Sequence, residues 1–178
     1  MFESVKRSTF ESTVLIHLDA AYNLARWLVD DPASAEDAVQ EACLRAQRFF
    51  HSLSGPNPKA WFMAIVRNSC IDVLRQQKVR RIEEPYDESV HGELPARSED
   101  SPEYAVMQQS EARWVRAAIA GLPEEYREVI ILRELEDMSY KEISEIVKVP
   151  IGTVMSRLSR GRDLLSQALR ADMKRATP

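Results

Sequence analysis

The sequence predicts an all-helical protein in which an acidic, extended linker joins two small helical domains. Five glycines in 178 residues are few, and no segment alternates apolar and polar residues over the length of a strand. Apolar residues instead recur at three- and four-residue steps, which is typical of amphipathic helices. We place the first domain at residues 8–82, the linker at 83–104 and the second domain at 105–172.

The first domain should begin with a helix over residues 10–30, in one or two pieces. The chain then breaks at Asp31-Pro32. Ser34 is predicted to cap the next helix, which runs to about Phe50, because serine accepts a hydrogen bond from an unpaired amide at a helix start.

A third helix is predicted from Lys59 to about Arg81, after a loop from Ser52 to Pro58 that is rich in turn-forming residues. This helix carries six basic residues against Asp72 alone. Such a basic stripe can hold the backbone of a nucleic acid.

The net negative charge of the chain comes from the linker. Residues 83–104 contain eight acidic residues, three prolines and one arginine, whereas the full chain has a net charge of only −4. A segment of this composition cannot build a core and should be extended. It is either a solvated tether or a segment with a role of its own.

The second domain contains the pattern of a helix-turn-helix. A helix should open at Leu122-Pro123, with proline in its first turn. Ser139 and Glu142 then form the spacing of a capping box. The helix that they begin should end before Pro150, and a second helix should run from Ile151 to about Leu165.

The second of these helices has one apolar and one polar side. At 100° per residue, Val154, Leu158, Gly161 and Leu165 share a stripe. The opposite side carries Thr153, Ser156, Ser159 and Arg160, with Arg157 at the edge. This arrangement predicts a helix that enters the major groove of DNA, while a helical hairpin with a solvated basic face remains the alternative.

Other functional classes find little support in the sequence. Cys43 and Cys70 are separate and are interpreted as reduced core thiols, and the three histidines lack the spacing of metal ligands. We therefore expect no metal, no cofactor and no enzymatic activity, because no catalytic constellation is present. Without a signal peptide or a long apolar segment, the protein is expected in the cytoplasm, with no membrane insertion.

Two parts of the chain resemble known regions of a protein family. Residues 139–143 and 152–162 resemble region 4 of bacterial sigma factors of the extracytoplasmic-function (ECF) group, which belongs to the sigma-70 family. Residues 37–42 and 60–75 resemble region 2 of the same family. The two matches occur in order and, with the linker between them, cover about 140 residues.

The resemblance implies an alternative sigma factor that binds core RNA polymerase, melts the −10 element and reads the −35 element of promoter DNA. It also implies an anti-sigma partner. The implied polymerase contacts are Asp37, Gln40 and Glu41, which share a helix face. The implied −10 contacts are Asn57, Trp61, Arg67, Asn68 and Arg75. The implied −35 contacts are Thr153, Met155, Ser156, Arg157 and Arg160.

Some assignments remain open at this point. Trp61 continues an apolar pattern and is either a core residue or a base-stacking one. Met155 and Gly161 depart from the common family pattern, so the preferred −35 bases are not fixed by the resemblance. The linker is hypothesised to mimic nucleic acid inside a basic polymerase channel. The alternative function is a dimeric helix-turn-helix regulator, although no heptad seam supports it and it leaves the Asp37 face unexplained.

Overall fold

The computed structural model describes residues 9–29, 31–83 and 113–176, and these are helical with short connections. No strand occurs within those three ranges. The predicted linker lies outside the described residues, apart from Glu83, which is the last residue of a helix rather than the first of a linker. The helices are α1 (9–13), α2 (Leu18–Leu28), α3 (Pro32–Phe49), α4 (Pro58–Glu83), α5 (113–120), α6 (Glu124–Ile130), α7 (Tyr140–Val147) and α8 (Ile151–Ala176).

The first predicted helix is divided into two α-helices. A 3₁₀ turn at Leu15–His17 separates α1 from α2, so the two-piece interpretation is confirmed. Phe10 of α1 makes an edge-to-face ring contact with Phe50, at 5.3 Å between centroids. This contact packs α1 against the end of α3.

The predicted cap of α3 was wrong. Asp31, not Ser34, is the N-cap residue, and Pro32 occupies the first turn. The backbone amide of Ser34 donates to Asp31 Oδ2 at 2.8 Å, and the Ser34 hydroxyl donates to the same oxygen at 2.7 Å. Proline fits the first turn because its missing amide would have no partner there, so the chain begins the helix where the sequence suggested a break.

Helices α2, α3 and α4 pack against one another and form the core of the N-terminal half. Their contacts come from small and apolar side chains, including Ala21, Leu24, Ala38, Phe62 and Val66, all fully buried. Asn57 caps α4, because its Oδ1 accepts from the Ala60 amide at 3.0 Å. Helix α4 therefore begins at Pro58, one residue before the predicted start.

Helix α6 begins at Glu124, with Pro123 at the N-cap position rather than inside the first turn. It continues as a π-helix over Ile131–Leu135. Asp137 then adopts a left-handed conformation with φ 52°, which aspartate tolerates better than most residues. This turn directs the chain into α7.

Helices α7 and α8 form the predicted helix-turn-helix. Ser139 and Glu142 make both hydrogen bonds of the capping box, so that prediction is confirmed. Lys148 takes the left-handed conformation (φ 58°) that ends α7. The Ser144 hydroxyl donates to the Val149 carbonyl at 2.6 Å and ties the turn to α7.

The two halves of the chain pack together. Helix α4 contacts α7, and α2 contacts α6. Buried apolar side chains from both halves belong to one cluster that extends from Phe10 to Leu158. None of the helices within the described ranges is both long and apolar enough to span a membrane.

Candidate nucleic-acid interface

The polar side of α8 faces solvent in its first turns. Met155, Ser156 and Arg160 are exposed, and Thr153 is half-buried. Met155 is 53% exposed, so it does not pack in the core and remains available to an apolar group such as a thymine methyl. The Ser156 hydroxyl donates to the Thr153 carbonyl at 3.0 Å, which leaves its oxygen as an acceptor.

The opposite side of α8 fixes the helix to the domain. Val154 and Leu158 are fully buried, and Gly161 is also buried. A Cβ atom at Gly161 would lie 3.0 Å from Ile130 Cγ1. The glycine therefore permits a close approach of α8 to α6. Helix α8 also runs eleven residues beyond Leu165, where the sequence predicted its end.

The five predicted −10 contacts lie at or along α4, in different environments. Asn57 caps the helix, while Asn68 and Arg75 are exposed on its surface. Trp61 is partly buried and packs against the core cluster, in line with its interpretation as a packing residue. Arg67 is largely covered, with 16% of its side chain exposed.

The three predicted polymerase contacts lie on one exposed face of α3. Asp37, Gln40 and Glu41 are all exposed. Leu44, one turn further along, is 59% exposed. Glu41 is held by Arg45, whose Nε lies 2.7 Å from Glu41 Oε1 and whose Nη1 lies 2.8 Å from Asp72 Oδ2. An acidic face beside an exposed leucine suits a partner protein with basic and apolar groups.

Glu128 of α6 is the most buried charged residue in the described chain, at 3% exposure. Its carboxylate accepts from Arg67 Nε at 2.6 Å and from Arg67 Nη2 at 3.2 Å. Arg157 Nη1 lies 3.4 Å from Glu128 Oε1, and Arg157 Nη2 lies 3.4 Å from Glu125. Burial raises the pKa of Glu128, while the two arginines act in the opposite direction.

Two further glutamates of the C-terminal half face polar groups of the N-terminal half. Glu136 accepts from Asn23 Nδ2 at 2.6 Å and lies 3.2 Å from Lys59 Nζ. Glu142 accepts from the Asn57 side-chain amide. Burial alone would raise the pKa of Glu142, but its bonds to Ser139 and Asn57, together with nearby Lys59, lower it.

The two cysteines and the two described histidines, His17 and His51, do not group into a metal site. No cluster of three His, Cys, Asp or Glu side chains that could hold a metal occurs among the described residues. Cys70 is buried, which raises the pKa of its thiol to about 12, and Cys43 is half-buried with its pKa also raised by burial. Neither thiol is activated as a nucleophile.

Comparison with known protein families matches both halves of the chain. Sigma-70 region 2 matches residues 14–80, and sigma-70 region 4 matches residues 112–165. The ECF RNA polymerase sigma factor SigW of Bacillus subtilis is 30% identical over 170 residues, which is 92% of this chain and 90% of that protein. The chain belongs to the ECF sigma factors.

Other relatives agree with this family. The ECF sigma factor SigE of Mycolicibacterium smegmatis is 31% identical over 164 residues; the match covers 90% of this chain but only 62% of that protein. Among solved structures, the sigma factor RpoE of Bartonella quintana, in complex with the anti-sigma factor NepR, superposes with a TM-score of 0.73 at 30% identity. The superposition covers 92% of this chain and 98% of the RpoE chain.

The sequence did not indicate the contacts between regions 2 and 4 of this sigma factor. Glu128, Glu136 and Glu142 resemble the ordinary acids of solvated helix faces, and their partners lie 61 to 113 residues away along the chain. The one available signal was Glu128 itself, since it stands directly before the apolar run at 129–132.

Proposed function

We propose that this sigma factor binds core RNA polymerase through the exposed face of α3 and uses regions 2 and 4 to recognise two separate promoter elements. In this proposal region 2 extends to Glu83, the last residue of α4, an acidic linker follows up to residue 104, and region 4 comprises 105–172. The protein acts in the cytoplasm, where polymerase and DNA are, and acts without enzymatic chemistry of its own.

The observation that carries this proposal is the pairing of two exposed surfaces of different chemistry. An acidic surface on α3 suits a basic protein partner. The first turns of α8 present small polar side chains and Arg160 to solvent, directly after a turn that the Ser144–Val149 hydrogen bond ties to α7. A conventional repressor needs only the second surface, whereas a sigma factor needs both.

Within region 4, Thr153, Met155, Ser156, Arg157 and Arg160 are proposed to contact the −35 element. Arginine reads guanine edges or binds phosphate, and serine and threonine do either. Helix α8 supports this role because buried Val154 and Leu158 fix its rotation about its own axis. The exposed residues are thereby presented together.

Within region 2, Asn57, Trp61, Arg67, Asn68 and Arg75 are proposed to contact the melted −10 element. Exposed Asn68 and Arg75 are placed for contacts to the backbone of single-stranded DNA. Asn57 and Arg67 carry donors that suit DNA, although both are bonded to region 4 glutamates in this structure.

An anti-sigma factor is proposed as a further partner. The support is that the Bartonella quintana relative, which is similar over nearly the whole chain, was solved in complex with one. A protein that binds region 2, region 4 or both would keep the sigma factor from polymerase.

Transcription in vitro tests the proposed function. The protein is added to core polymerase with DNA from upstream of its own gene, and the transcript starts are mapped. We expect new starts that require both components, preceded by two sequence elements at a fixed spacing. Starts that are the same with and without the protein would contradict the proposal.

A further inference from the structure

Arg45 lies between the two surfaces of region 2 that the proposed function assigns to polymerase and to DNA. Its Nε donates to Glu41 Oε1 at 2.7 Å, one turn earlier on α3, and its Nη1 donates to Asp72 Oδ2 of α4 at 2.8 Å. Glu41 belongs to the face assigned to polymerase, and Asp72 lies on the helix assigned to the −10 element. One guanidinium group therefore bonds to both surfaces, through separate nitrogen atoms.

Asp72 is the one acidic residue among six basic residues at positions 59–81. On a helix it shares a side with Asn68, four residues before it, and with Arg75, three residues after it. Both neighbours are exposed and are proposed to contact DNA. An uncovered carboxylate beside them would repel the phosphates of that DNA. Arg45 places a positive charge against this carboxylate from the neighbouring helix.

The Glu41 side chain is held in position on the polymerase face. It is 50% exposed, so its carboxylate is accessible to a partner while Arg45 bonds to Oε1. A free glutamate side chain loses rotamer freedom when a partner protein binds it, and this loss lowers the affinity. A side chain that is already ordered loses less.

We propose that Arg45 is a positioning residue for both interfaces of region 2: it orders Glu41 for core polymerase and neutralises Asp72 beside the −10 DNA. In this role Arg45 acts through two carboxylates and not through a contact of its own. The inference rests on the proposed function for the assignment of Glu41, Asn68 and Arg75 to their partners. Both ion pairs are partly exposed, so they contribute little to the stability of the fold.

The charge of Arg45 distinguishes positioning from simple attraction. A basic polymerase surface is attracted by the net charge of the α3 face. Replacing Arg45 with glutamine makes that face more acidic by one charge and, by charge alone, should tighten polymerase binding. Positioning requires the opposite result, because Glu41 is then free to adopt several rotamers.

A double-mutant cycle on binding to core RNA polymerase tests the action through Glu41. Arg45→Gln should weaken binding by about two- to tenfold. In a Glu41→Ala chain the same change should have no further effect, because the side chain that Arg45 orders has been removed. Unchanged or tighter binding of Arg45→Gln, or an undiminished loss in the Glu41→Ala chain, would overturn the positioning of Glu41.

A second cycle tests the neutralisation of Asp72 with a single-stranded oligonucleotide that carries the −10 sequence of the mapped promoter. Binding is measured with the polymerase holoenzyme at saturating sigma factor, so that weaker docking does not enter the result. Arg45→Gln should weaken binding by about two- to fivefold at low salt. The loss should shrink at high salt, because salt screens the repulsion between Asp72 and phosphate.

Two double variants of equal net charge provide the matched comparison for the DNA measurement. Adding Asp72→Ala to Arg45→Gln should restore the affinity for the oligonucleotide, since the uncovered carboxylate is then absent. Adding Glu41→Ala instead should not restore it. Equal affinities of the two double variants, or an unchanged affinity of Arg45→Gln, would overturn the neutralisation of Asp72.

A purely structural role of Arg45 would give a different pattern. Loss of folding would lower the urea midpoint and weaken both kinds of binding together, and neither second substitution would restore one of them selectively. We expect the circular dichroism spectrum of Arg45→Gln to match that of the unchanged protein. If that variant fails to fold, Arg45→Met, which keeps the aliphatic stem of the side chain, replaces it in both cycles.

The Glu41→Ala chain separates failure of this inference from failure of the proposed function. Full polymerase affinity of Glu41→Ala would contradict the proposed docking face. Loss of affinity with Glu41→Ala but not with Arg45→Gln would overturn the positioning role alone.

Discussion

Arg157 and Arg160 lie within one turn of each other on α8, yet their surroundings differ. Arg157 is largely covered and contacts Glu125 and Glu128, whereas Arg160 is exposed. In this structure only Arg160 of this pair is open to solvent. At the residue scale, Arg160 is therefore the clearest reader of the −35 element.

Replacing Arg160 with alanine should weaken binding of the polymerase holoenzyme to promoter DNA by about 1–3 kcal/mol, if the side chain reads a base. Arg170→Ala removes the same group from an exposed position further along α8 and should leave the affinity unchanged. A titration of labelled promoter measures both variants. Equal affinities for Arg160→Ala and the unchanged protein would remove Arg160 from the interface.

At the scale of the element, the capping preference correctly predicted a capped start of α3 but placed the cap at the wrong residue. Asp31 and Ser34 are both good caps, and the sequence alone does not rank them. Asp31 is the N-cap residue because Pro32 then falls in the first turn of the helix, where proline is favoured. Ser34 contributes two donors to the cap rather than the acceptor.

Asp31 should stabilise the fold in a pH-dependent way. The bonds from Ser34 lower the pKa of Asp31, so its stabilisation is present above the usual aspartate pKa and is lost as the pH falls through the lowered value. Near neutral pH, Asp31→Ala should cost about 1 kcal/mol. Asp31→Asn should retain most of the cap and show no such loss in acid. Urea unfolding at several pH values measures this, and equal losses for both variants would contradict the capping role.

Gly161 determines how closely α8 approaches α6. Gly161→Val should destabilise the protein by about 1–3 kcal/mol, because the side chain would overlap with buried Ile130. At Gly152 on the same helix, no atom lies within 4 Å of an added Cβ. Gly152→Val should therefore change the free energy of unfolding by less than about 0.5 kcal/mol. Similar urea midpoints for the two variants would show that α6 gives way and that the close approach is not required.

At the scale of the whole molecule, the sequence predicts the parts better than their arrangement. The capping box at Ser139 and the apolar stripe of α8 depend on residues three to seven positions apart, so local spacing determines them. The contact between Arg67 and Glu128 depends on side chains 61 positions apart. Hydrophobic periodicity does not identify such a pair, and the position of Glu128 before an apolar run does not show which residue it contacts.

The exposed acidic face of α3 is considered at the scale of the whole molecule because its proposed partner is another protein. Changing Asp37 and Gln40 together to alanine should weaken binding to core polymerase by about 1–3 kcal/mol, with an unchanged circular dichroism spectrum because both side chains are exposed. Glu145→Ala, which removes an exposed acid from α7 instead, is the control. Full affinity of the double variant in a pull-down titration would exclude this face from docking.

The central claim is that one chain reads two promoter elements, which polymerase must hold at a fixed separation. Initiation by this sigma factor with core polymerase should therefore be measured on its mapped promoter and on a version with about five base pairs inserted between the elements. That insertion turns one element by about half a helical turn relative to the other. We predict that it abolishes initiation, whereas an unchanged level of initiation from both promoters would contradict the bipartite account.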